Sequence, residues 1–96
     1  MSYQVVLSEA VRKTVASWKL SKRLQDEITY RLKEDLTDQP ASRLRVIRGA
    51  QDVLEYSFVT DGGDPHAQYL FAFRVLYSRD RSALVIWDCD YLCEKS

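Results

Sequence analysis

The chain has 96 residues, 46% hydrophobic and 29% charged, which is enough for one globular core and leaves no disordered tract. Fourteen basic and fourteen acidic side chains cancel, excluding a uniformly basic nucleic-acid binder while leaving room for a local basic patch. The longest apolar runs fall far short of a membrane span and the N-terminus carries no signal-peptide core. The expectation is therefore a single domain over residues 1–96, cytoplasmic and without membrane association.

Residues 3–7, Tyr-Gln-Val-Val-Leu, form a short β-prone run. Ser8 can cap a helix that follows, with Glu9 in the first turn where the helix dipole favours negative charge. Val11, Val15 and Trp18 fall at i, i+4, i+7, predicting a helix over about 9–19 with one apolar face. Ser21 is a second N-cap. After it Leu24, Ile28, Leu32 and Leu36 recur every four residues with charged residues between them, and Pro40 limits how far this second helix runs. Residues 41–52 carry Arg43, Arg45, Arg48 and Gly49 and read as a connection.

The run 53–59 alternates, with Leu54, Tyr56 and Phe58 facing one way and Glu55 and Ser57 the other. "TDGGDPHA" is a loop by its Gly, Asp and Pro content. Residues 69–77 make the next strand, "SRDRS" a tight turn, and 83–88 the last strand. The predicted fold is α+β: an N-terminal strand, a helical hairpin, then a three-stranded antiparallel meander, with the helices on one face of an antiparallel sheet.

Cys89 and Cys93 lie four apart, too far for a disulfide along extended chain, and are expected to be reduced. His66, Asp88 and Asp90 are near in sequence but match no metal-ligand spacing, so neither metal nor cofactor is expected.

Arg74 sits mid-strand. Alternation points Phe71, Phe73, Val75 and Tyr77 at the helices and Ala72, Arg74 and Leu76 at the opposite side of the sheet. A hairpin centred in the Gly-Gly-Asp-Pro loop sets Glu55 beside Arg74. As a cross-strand ion pair the two would contribute a few tenths to ~1 kcal/mol. The functional alternative is phosphate binding. A guanidinium presents a planar fork that matches phosphate bidentately, and Arg45, Arg48, Arg79 and Arg81 could add field around it. Both readings stay open on the sequence.

Four stretches, "YQVVLSEAVRKTV", the paired helices ending in "LTDQP", "VIRGAQDVLEYSF" and above all "FRVLYSRDRSALVIW", resemble the RelE/ParE superfamily of bacterial type II toxin–antitoxin systems. The resemblance spans nearly the whole chain, and "FRVLY" (73–77) is its most recognisable signature. It implies a growth-inhibiting toxin neutralised by a small antitoxin that covers apolar grooves and basic residues. RelE-like toxins cleave messenger RNA in the ribosomal A site, and ParE-like toxins inhibit DNA gyrase. Arg74 would be the phosphate-binding arginine of the ribonuclease group. The chain departs from that group's basic pair, where it has Glu55 and Ser57, and from its late basic residue and tyrosine, where Lys95 and Tyr91 are nearest.

Three functions follow as expectations. The first is a toxin acting on translation or on gyrase and held by an antitoxin. The second is a non-catalytic protein-binding module on the same fold. The third is an RNA endonuclease with a rearranged acid–base set of Glu55, His66, Arg74 and Tyr91, in which His66, the sole histidine, is the general base.

Overall fold

The computed structural model describes residues 3–38, 40–46, 53–78 and 82–96. Strand β1 (Gln4–Leu7) leads into helices α1 (Glu9–Ser17) and α2 (Lys22–Thr37). A short 3-10 turn (Pro40–Ser42) and a two-residue strand β2 (Arg45–Val46) follow. Then come β3 (Leu54–Thr60), β4 (Ala67–Ser78) and β5 (Ala83–Lys95). Among the described residues the strands form one five-stranded sheet in the order β1-β5-β4-β3-β2.

The helices begin where the sequence says they should. The Ser8 hydroxyl accepts from the Val11 amide at 3.2 Å and the Ser21 hydroxyl from the Leu24 amide at 3.3 Å, each satisfying an amide with no partner inside the helix. The first helix stops at Ser17 rather than 19, because Lys19 takes φ 53°, the left-handed conformation that closes a helix and turns the chain. The period-four stripe Leu24, Ile28, Leu32 and Leu36 is buried throughout. It packs on Tyr56, Phe58, Phe71, Phe73, Val75, Leu84 and Ile86 from the sheet. Phe71 lies among Phe58, Tyr69, Tyr91 and Trp18, with ring centroids 5.4 to 6.1 Å away.

The meander is antiparallel as expected, but the whole sheet is mixed: β1 pairs with β5 in parallel. The meander leaves two free edges. β2 occupies the one on β3, so β1 takes the one on β5, which places Val5 and Leu7 beside Leu84 and Ile86 over the core.

The final strand runs seven residues past the predicted end at Asp88. A bulge explains why it was hidden. Arg74 pairs with Asp88 and Val75 with Ile86, so Trp87 is the extra residue. The inward set is Leu84 and Ile86 before it, then Cys89 and Tyr91 after it, and the period-two pattern breaks in between.

The loop between β3 and β4 packs under α2. Gly62 has φ 62°, and a Cβ there would come within 2.7 Å of the buried Leu24 side chain. The Gly63 amide donates to Asp61 and the His66 amide to Asp64, both Asp side chains closing tight turns.

Candidate functional site

Arg74 lies on the face of the sheet away from the helices, as its alternation requires, with 24% of its side chain exposed. The register sets Glu55 opposite it on one side and Asp88 on the other, and sets Arg45 opposite Glu55. The Glu55–Arg74 register is therefore the predicted one, but the ion pair is not. Arg74 donates through one guanidinium nitrogen to Asp88 at 3.0 Å and through the other to Asp90 at 3.2 Å. Glu55 instead accepts from Arg45 at 3.1 Å. The extension of β5 supplied Asp90, its bulge set Asp88 opposite Arg74, and β2 supplied Arg45, none of which was legible beforehand.

The result is a row across four strands with alternating sign: Asp88, Arg74, Glu55, Arg45. Burial alone would lower the pKa of Arg74. The hydrogen bond to Asp90 and the charges of Asp90, Asp88 and Glu55 outweigh it, so the net shift is upward and the group stays charged. Both terminal nitrogens of the fork are already engaged by carboxylates, and among the described residues the charges closest to it are mainly acidic, which disfavours a phosphate.

The remaining predicted residues are not brought together. His66 sits in the turn before β4, eight residues from Arg74 along extended chain, or about 26 Å. Tyr91 lies on β5 opposite Phe71, its ring 4.6 Å from that of Trp18, on the helix-covered face and so on the other side of the sheet from Arg74. Arg48, Arg79 and Arg81 lie outside the described residues, as do Gly49 and the middle of the "SRDRS" turn. Cys89 is buried and Cys93 exposed. Burial, then Asp88 and Asp90, push the Cys89 thiol up to about 11, which removes it as a nucleophile at neutral pH. Among the described residues no group of three or more His, Cys, Asp or Glu is placed to hold a metal ion, and no helix is long and apolar enough to cross a membrane.

Two further features were not read from the sequence. Tyr56, buried under α2, donates its hydroxyl to Asp35, which also lies 3.8 Å from Arg31 and 4.0 Å from Arg43. Burial, then the hydrogen bond to Asp35, push the Tyr56 pKa well up from its usual value, so it works as a fixed donor tying β3 to α2. Arg31 also stands over the Phe58 ring, 5.4 Å from its centroid. The signal for this cluster was present in Arg31 and Asp35, one helical turn apart beside the apolar stripe.

The second feature is a groove of about 480 Å³ between β1 and the two helices, floored by Tyr3, Val5, Leu7, Val15, Ile28 and Leu32 and edged by Gln25, Thr29, Lys33 and Thr37. Strand β1 is the edge of the sheet. The Gln4 amide donates to Ser82 and the Ser8 amide to Ile86, each at 2.9 Å, so the alternation turns the backbone groups of Val5 and Leu7 away from β5, along the groove. At its far end the Tyr3 amide is closed off by Thr37 at 2.6 Å. The site thus offers apolar side chains and an open strand edge together, which suits an added strand or helix better than a small polar substrate.

Comparison of the chain with protein-family models, with curated proteins and with solved structures returned no match.

Proposed function

We propose that this chain is a RelE/ParE-like toxin of the cytoplasm that acts by occupying a macromolecular target, gyrase or the translation machinery, and is silenced by a small antitoxin. The observation that carries this reading is the groove beside β1, with its apolar floor and its Val5 and Leu7 edge. An antitoxin segment that extends the sheet there would satisfy those backbone groups and bury the floor, which is how edge-strand recognition obtains both affinity and selectivity. The element order strand, helix pair, meander agrees with the resemblance carried by "FRVLY" and its flanking stretches.

Binding is favoured over RNA cleavage because the groups a nuclease would need are dispersed. A 2′-hydroxyl attack requires a base, an acid and positive charge within hydrogen-bond reach of one phosphate. Here Arg74 is tied to Asp88 and Asp90, Tyr91 faces the helices, and His66 is at the far end of β4.

Expression of the chain alone in bacteria tests the proposal. Growth should slow, and co-expression of a short protein encoded beside it should relieve the arrest and co-purify. Vigorous growth at high expression, with no partner present, would refute it.

A further inference from the structure

The face of the sheet opposite the helices is uncovered by any described element, and its pattern is unusual. The row Asp88–Arg74–Glu55–Arg45 runs across it. On one side of the row lies an apolar strip of Val59, Leu70 and Leu92, which are 49%, 37% and 69% exposed. On the other side lie Val6, Val85 and Leu76, adjacent on β1, β5 and β4. We infer that this face binds a second copy of the chain, sheet to sheet, about a two-fold axis that runs along the strands between β3 and β4.

The reason is symmetry. An alternating row with an even number of charges is its own complement when reversed. A two-fold axis along the strands reverses the row and leaves position along the strands unchanged. Arg74 then meets Glu55 of the second copy, and Asp88 meets Arg45 of the second copy. Val59 then lies against Leu70 of the second copy, while Val6 on β1 falls outside the overlap. An axis perpendicular to the strands would instead set like charges of the row together, so only the first arrangement satisfies the row. Sheets that pack face to face cross at about 30°, which displaces the outer pairs by a few ångström, within reach of the long Arg45 side chain.

Most of the charge on this face is already paired, Arg74 with Asp88 and Asp90 and Glu55 with Arg45. This leaves one acidic charge in excess per copy, beside the row at Asp90, whose side chain is 63% exposed. The chain carries no formal net charge, so two copies do not repel. Only β5, β4, β3 and the two-residue β2 overlap about this axis, so the covered area is small and the dimer is weak and concentration-dependent. It leaves the groove beside β1 open and is independent of the toxin reading.

Sedimentation of the full chain up to about 1 mM should show a shift from the 11.2 kDa monomer to twice that mass. Backbone NMR shifts on dilution should concentrate at Ser57, Val59, Leu70, Ala72 and Asp90. Leu70→Lys should abolish association. Arg45→Glu and Asp88→Arg should each weaken it by about ten-fold, because each sets like charges across the axis twice. Their equimolar mixture should recover wild-type affinity, since the mixed dimer holds one native pair and one reversed pair. Thermal melts separate misfolding from lost association, and the dilution experiment needs only the wild-type chain. A monomer at every concentration, dilution shifts on the helices or the β1 groove, or a dimer indifferent to Leu70→Lys and to both charge variants would each overturn the inference.

Discussion

Replacing Arg74 by alanine removes two ion pairs at once. Its partners are at 3.0 and 3.2 Å, and the three side chains are 24%, 51% and 63% exposed for Arg74, Asp88 and Asp90. Pairs this exposed contribute roughly 0.5–1 kcal/mol each, so the loss should be about 1–2 kcal/mol. Part of it comes from leaving Asp88, Asp90 and Glu55 clustered without a cation. Urea denaturation reads this directly, and the loss should shrink in about 1 M salt, where the screening length falls to a few ångström. Double-mutant cycles locate the interaction. Arg74 with Asp88 should couple by about 0.5–1 kcal/mol, and Arg45 with Glu55 by a similar or smaller amount. Arg74 with Glu55 should couple less than Arg74 with Asp88, although those two residues are register partners. Arg74→Lys keeps charge but loses the fork, so it should retain roughly half the stabilisation. If Arg74→Ala left stability untouched and abolished toxicity, the guanidinium would be a functional group and the pairing described above would be wrong.

Gly62→Ala should destabilise by more than about 1 kcal/mol, because φ is positive and the new methyl group would press on buried Leu24; a variant as stable as wild type in thermal melts would contradict this. Tyr56→Phe should cost about 1–2 kcal/mol in denaturant unfolding by removing the donor to Asp35. The folded pKa of Tyr56 is raised, so its contribution is fully present below the unfolded value near 10 and is lost as pH rises beyond it; wild type should weaken in that alkaline range and the phenylalanine variant weaken less. An alkylating reagent at pH 8 should label exposed Cys93 quickly in the native protein and Cys89 only after unfolding, as counted by mass spectrometry; equal native labelling would refute the buried placement of Cys89.

The sequence reading was reliable where a period ran unbroken through an element. The stripe at Leu24, Ile28, Leu32 and Leu36, the alternation from Leu54 to Phe58, and both serine caps appear as expected. The hairpin register was also right: Glu55 opposes Arg74, with the centre of the hairpin between Asp64 and Pro65 in the Gly-Gly-Asp-Pro loop. What failed was non-local. Which edge β1 joins depends on which strand the meander leaves open, and no residue in β1 encodes it. The bulge at Trp87 broke the alternation and hid half of β5, including Tyr91, Cys89 and Asp90. That one break changed the reading of Arg74, whose partners lie on the hidden half or at its start. Of the candidate basic set Arg45, Arg48, Arg74, Arg79 and Arg81, only Arg45 and Arg74 lie among the described residues, and strand pairing interleaves those two with Glu55 and Asp88.

Whether growth arrest leaves messenger RNA intact is the most direct test of the proposed mode of action. Cells expressing the chain should be profiled for RNA 5′ ends at the onset of arrest, beside cells expressing Arg74→Ala. The proposal predicts arrest without new 5′ ends in either strain, as expected of a toxin that works by occupancy. New ends at defined positions in arrested cells, absent with Arg74→Ala, would show an RNA-cleaving site built on Arg74 and contradict it.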